Sequence, residues 1–444
     1  MFQFIVILSS MLSKKAKQVC FFYQLLLLLL LVFCSLGKLA AQSLKREFPQ
    51  TVTVNIKNPL NQQRNDVMVL IREDNLQNLA PSFNPKAFVV LDGKEEIASQ
   101  YNNKDVDDKG IVLVLDQLAA NETRKLTIRY NKQGTANRNY TKRTQAELSH
   151  KVGGRFENRK YIGGTSFQNV DSLRVPDEVT DHSYYIRYEG PGWESDKVGY
   201  RFYLDWRNGT DVFGKRTKDM VLQQVGQDGY DSYHELQPWG MDVLKVGKSL
   251  GVGTLAMFHN GQANRVAETD SMISVISENG NVYSSILTNY YGWQVAGLTM
   301  NVQSQLGIHA GSRLTHHQVQ VTGANPENLS TGLIKDKRST LHTSKGSNDK
   351  WGYMATYGKQ SLNGEGDNLG IAVLFRPQDF IIFTEDANSH VVQLKPNQGQ
   401  VAYYFLAAWE LEPEGIKTEE EFLQYLNKTA AELAQPVQVS LSKK

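Results

Sequence analysis

The sequence predicts an all-β protein: a small N-terminal immunoglobulin-like β-sandwich, then a large antiparallel, mutarotase-like supersandwich with one C-terminal helix. Two observations carry this. Short β-branched and aromatic runs, broken by Gly, Asn, Asp and Pro, recur along almost the whole chain. A single stretch with helical periodicity and a capping signal stands near the C-terminus.

Taken in order, the chain opens on a targeting pattern. Lys14, Lys15 and Lys17 precede an apolar run from Phe21 to Leu36, and Ala40-Ala41-Gln42 offers a small-residue cleavage site. The run falls short of the ~20 residues of a membrane span and contains Gln24, so residues 1–41 read as a cleaved signal peptide with no stable span after cleavage. Export to the periplasm or outside the cell follows. Both cysteines, Cys20 and Cys34, lie inside that segment. The mature chain therefore has no thiolate nucleophile, disulfide or cysteine-ligated metal. A net charge of +2, with no basic run interleaved with aromatics, argues against a nucleic-acid partner.

Residues 48–133 read as the first sandwich. Thr51-Val52-Thr53-Val54-Asn55-Ile56 and Lys125-Leu126-Thr127-Ile128-Arg129 alternate as half-buried strands do. Asp105, Asp107 and Asp108 lack the ligand spacing of a calcium loop and read as an acidic hairpin turn. The polar stretch 131–145 reads as a linker. From 146 to 435, longer aromatic-rich strands need two large packed sheets, and no repeat period is visible. In the segment 418–433, Thr418 and Glu421 form a capping box, while Phe422, Leu426 and Leu433 make an apolar stripe suited to packing on a sheet.

The candidate site centres on residues 183–215, which crowd Trp193, Glu194, Asp196, Arg201, Tyr203 and Asp205 together. Aromatic rings beside fixed charges suit a sugar, whose apolar faces stack and whose hydroxyls or carboxylate pair with ions. Alternation puts Arg201, Tyr203 and Asp205 on one strand face, expected to line a groove, with Tyr200, Phe202, Leu204 and Trp206 against the core. A salt-bridge ladder is the rival reading of that face. A second loop holds Tyr233, His234, Glu235, Trp239 and Asp242, where His234 suits acid–base work near neutral pH. Arg313, His316 and His317 form a third group; the two histidines, adjacent on a strand, must point to opposite faces. No G-x-S-x-G elbow, P-loop, H-E-x-x-H helix or dinucleotide fingerprint occurs.

The segments GWESD, YRFYLD and WGMDVLKVG, with NPLNQQRNDVMVLI near the start, resemble the family catalogued as domain of unknown function 4861, exported bacterial proteins. The resemblance implies polysaccharide degradation, uronic-acid polymers included, and a mutarotase-like sandwich; it assigns no catalytic residue. The leading expectation is an exported enzyme acting on uronic-acid-containing oligosaccharides by β-elimination. Arg201 would hold the carboxylate, His234 act as base with Glu235 as its helper, and Tyr203 or Tyr233 serve as acid. Trp193 and Trp239 would stack sugars, and Glu194, Asp196, Asp205, Asp242, Arg313 and His316 contribute to binding. A two-carboxylate hydrolase and a non-catalytic glycan binder are the alternatives. No cofactor is required, though carboxylates leave room for a divalent cation such as calcium.

Overall fold

A computed structural model describes residues 43–105, 107–364 and 366–443, so the expected signal peptide lies outside the described residues. The protein is mostly β, built as packed antiparallel sheets. In the N-terminal sandwich a five-stranded sheet faces a three-stranded one. Val52, Val54 and Ile56 point inward against Val69, Ile71, Ile111 and Leu113, as their period of two requires. Two features were not legible in the sequence. A short helix, Glu73–Leu79, buries Leu76 under this sandwich. The last strand, Gln438–Lys443, returns across the molecule to pair with Gln50–Lys57, with Val54 opposite Leu441.

The larger body is a nine-stranded sheet covered on one face by two five-stranded sheets. One of the two runs 144–147, 192–195, 198–202, 210–215 and 240–242, and it carries the candidate site. Its inner face is tied to the nine-stranded sheet through the core. Trp193 Nε1 donates to Thr315 Oγ1 at 2.8 Å, and the Tyr200 hydroxyl donates to the Arg313 carbonyl at 2.6 Å. The helix Glu419–Ala434 packs Phe422, Leu426 and Ala430 on the outer face of the nine-stranded sheet. Its N-terminus carries the expected capping box between Thr418 and Glu421.

The stretch read as a linker is anchored. Arg143 bridges Asp66 of the first sandwich (3.2 Å) and Asp196 of the second (2.7 Å). The acidic turn also ties the two bodies together. Asp105 is fully buried and accepts a 2.8 Å hydrogen bond from the Tyr283 hydroxyl. Burial, with Asp105 beside it, raises the Asp108 carboxyl to about 6.

Candidate functional site

The strand Val198–Phe202 pairs with Thr210–Lys215 so that Arg201 stands opposite Asp211 and Val198 opposite Gly214. Tyr200 and Phe202 face the core, and Arg201 faces out, as alternation dictates. The outer face does not open on a groove. Residues 217–239 and 181–190 cross over it, packing Tyr188, Val221, Leu222, Val225, Tyr230 and Tyr233 around Phe213. This apolar roof seals a network of charges beneath it.

Arg201 is the centre of the network. Its Nη2 donates to Asp211 (2.8 Å) and Asp242 (2.6 Å), and its Nη1 donates to the Tyr233 hydroxyl (3.0 Å) and the Tyr188 carbonyl (3.2 Å). The Tyr203 hydroxyl donates to Asp211 at 2.6 Å. One guanidinium thus faces two carboxylates out of water. Burial, with the charge of Asp211 alongside, holds the Asp242 carboxyl well above the usual carboxylate range. Arg201 also lies 3.9 Å from Glu189, which Arg207 joins to Asp181 and Asp205.

The backbone over this network is strained. His182, Tyr184, Tyr188 and Glu189 all adopt positive φ, between 37° and 70°. Non-glycine residues held there cost roughly 1–3 kcal/mol each, and such strain concentrates at functional sites. Gly190 lets the segment approach: a Cβ at that position would stand 1.8 Å from the Phe202 carbonyl oxygen.

His234, His182 and Tyr184 are among the side chains of this region that reach solvent. His234 has its side chain 48% exposed, with Nε2 lying 3.5 Å from Asp242 Oδ2. Its ring lies 4.5 Å from that of Tyr233, while burial and the Arg201 charge pull its pKa below the ordinary 6.5. His182 is exposed and its Nδ1 lies 2.5 Å from Asp181. Tyr184 stacks on Tyr230 at 4.9 Å, and the His182 ring lies 5.9 Å from the same Tyr230 ring. His182 and Tyr184 therefore border Tyr230, and His234 borders Tyr233, above the buried charges.

The remaining candidates are placed as follows. Trp193 is no stacking platform: it is 1% exposed and stacks on Tyr200 inside the core. Glu194 is buried against Lys215 at 2.6 Å and accepts the Val221 and Leu222 amides. Asp196 holds Arg143 and the Gly311 amide. Asp205 lies past the end of its strand, where it accepts from the backbone and side chain of Arg207. Trp206, expected in the core, is 46% exposed, because the strand stops at Phe202 and the alternation ends with it. Tyr203 and Tyr233 are buried with their hydroxyls committed to the network. Glu235 is exposed beside His234. Trp239 packs edge-on against Phe213 and lines a polar cleft of about 570 Å³ with Asp219, Gln224, Asp228 and Gln237.

Arg313 is bound to Glu412 at 2.7 Å and packs its guanidinium over Tyr425 of the C-terminal helix. The adjacent histidines do point to opposite faces. His317 meets Ser304 inside (2.7 Å), while His316 stacks on Tyr404 (4.3 Å) beneath the C-terminal helix. Neither joins the His234 region.

Sequence reasoning missed Asp211, Glu189, His182 and Tyr184. Asp211 becomes visible only through its register with Arg201; the Asp181-His182 pair was legible as a polar turn before an aromatic run. Among the described residues, one group could hold a metal ion: the ligand atoms of Asp181, His182 and Glu189 lie within 4.8 Å of one another. Arg207 already bonds both carboxylates at 2.7 Å, so a cation there would have to displace a guanidinium.

Fold and site together define a two-sandwich β protein with a roofed, buried ion network. Its sequence matches the domain of unknown function DUF4861 over residues 56–439, and the chain belongs to that family. No curated protein sequence matches it. Two solved structures are similar in shape. One is a protein in the glycosyl hydrolase family 38 from Enterococcus faecalis, with TM-score 0.48, 9% identity, and coverage of 88% of this chain and 47% of that one. The other is an alpha-mannosidase from Enterococcus faecalis V583, with TM-score 0.47, 9% identity, and coverage of 88% and 46%. The chain spans about half the length of each. Among the described residues, no helix is long and apolar enough to cross a membrane.

Proposed function

We propose that the chain is an exported carbohydrate-active enzyme that cleaves uronic-acid-containing oligosaccharides by β-elimination on the surface formed by His182, Tyr184 and His234. The observation that carries this reading is the half-exposed His234 set 3.5 Å from a buried, arginine-bound Asp242. A base must be unprotonated at working pH, and the lowered pKa of His234 favours that form. The charges of Asp211 and Glu189 offset part of what burial and Arg201 cost the imidazolium made when it takes the C5 proton. As the C4–O bond breaks, a C4–C5 double bond forms and the leaving oxygen takes a proton.

Arg201 is too deeply committed to hold the substrate carboxylate, so that part falls to His182, backed by Asp181. The exposed Tyr184 hydroxyl takes the acid's part in place of Tyr203 or Tyr233. A two-carboxylate hydrolase finds less support. Glu194, Asp196, Asp205 and Asp242 are all buried in ion pairs, which leaves Glu235 alone in solvent.

Incubation with pectic, ulvan and alginate oligosaccharides tests the reading. An unsaturated, ultraviolet-absorbing product that His234→Ala fails to make supports it. Absence of that product from all three substrates overturns it.

A further inference from the structure

Trp206 is the one tryptophan among the large apolar side chains that stand exposed in the described residues. It lines a cleft of about 380 Å³ together with Arg159, Asp177, Asp205 and Asp270. The cleft is joined to the network already described, because Asp205 is bound by Arg207, which also bonds Glu189. From the cleft geometry we propose that this is a subsite for a neutral pyranose ring, stacked on the Trp206 indole and held through its hydroxyls.

The indole is braced for such a role. Arg265 lies over its ring at 5.8 Å and donates to the Ser249 carbonyl at 3.0 Å, away from the cleft lining. A cation over the face of an indole is attracted to the ring, which helps to hold the side chain in place at the cleft. The charges choose the sugar. The lining holds three carboxylates (Asp177, Asp205, Asp270) and one guanidinium (Arg159). Arg207 neutralises Asp205, which leaves Asp177 and Asp270 against Arg159 in the lining, with the Arg265 guanidinium over the indole. Arg159 is in turn pinned to the carbonyls of Asp177 and Val179. Carboxylates accept hydrogen bonds from hydroxyls and repel a uronate. The volume suits one or two rings rather than a long chain.

This inference rests on the carbohydrate reading and narrows it: the substrate is a mixed polymer with a neutral sugar beside its uronate. The test uses calorimetry and turnover on the full chain, with oligosaccharides alternating neutral and uronic residues and with uronate homo-oligosaccharides. Trp206→Ala should weaken binding of the mixed series by roughly tenfold or more, as loss of an aromatic anchor does, and leave the homo-series within about twofold. Trp206→Phe should recover most of the loss. In the wild type, the mixed ligand should shield tryptophan fluorescence from acrylamide, and Trp206→Ala should abolish that shielding. An equal loss for both series, or no loss for either, overturns the subsite even where unsaturated product forms. Trp206-dependent binding without unsaturated product keeps the subsite and removes the elimination reading. Failure to bind either series overturns both.

Discussion

His234 meets Asp242 at the boundary between solvent and a sealed interior: its imidazole is half exposed, while the carboxylate 3.5 Å away is 2% exposed and bound by Arg201. A proton gained outside is thus felt by charges that water does not reach.

His234→Ala should lower turnover by about 10²–10⁴-fold while leaving thermal stability nearly unchanged, since the side chain is half in solvent. In the wild type the acidic limb of kcat/KM should have its midpoint below 6.5, because burial and Arg201 disfavour the imidazolium. A midpoint above 6.5 would contradict this electrostatic picture.

The two carboxylates on Arg201 should respond differently to amidation. Asp242 is the one whose charge burial and Asp211 disfavour, so Asp242→Asn, which keeps an acceptor for Arg201, should cost only about 1 kcal/mol. Asp211→Asn, which removes the acceptor of both Arg201 and Tyr203, should cost roughly 3–5 kcal/mol. Urea unfolding of both variants decides it; equal losses would refute the asymmetry.

Lys215 and Glu194 are both fully buried and paired at 2.6 Å. Lys215→Met strands the carboxylate and should destabilise by about 3–5 kcal/mol, whereas Lys215→Met with Glu194→Leu should restore much of that loss. Denaturant midpoints of the single and double variants measure the difference. If the double variant is as unstable as the single, the pair is not what the site requires.

His317 is buried and neutral, its pKa held down to about 3 chiefly by burial. Above pH 6.5 both folded and unfolded chains carry the neutral ring; below it, the unfolded chain binds a proton that the folded one refuses. Its share of stability is therefore complete above 6.5 and lost as pH falls toward 3, with a slope of up to ~1.4 kcal/mol per pH unit. His317→Gln should flatten the acid side of a stability–pH curve. An unchanged slope would show that the ring titrates freely.

Gly190→Ala would push a methyl group into the Phe202 carbonyl oxygen. The expected result is a loss of roughly 1–3 kcal/mol and displacement of His182 and Tyr184 with the strained segment. Calorimetric Tm and turnover should fall together; a folded, fully active variant would separate the strained backbone from the site.

Much of the architecture was written in the sequence because burial patterns are local. Val52, Val54 and Ile56 reveal a strand face by their period of two, and Thr418, Glu421, Phe422 and Leu426 reveal a capped helix by theirs. The same alternation correctly separated Arg201 from Tyr200 and His316 from His317. What covers a face is not a local property. That residues 217–239 fold back over Arg201, that Asp211 is its register partner, and that Trp206 escapes the core because its strand stops at Phe202 all depend on contacts between distant segments. The sequence alone determined which residues share a side; only the tertiary structure decided which sides meet water. A charge on a strand costs little if left in solvent and several kcal/mol if sealed without partners, and those partners come from elsewhere in the chain.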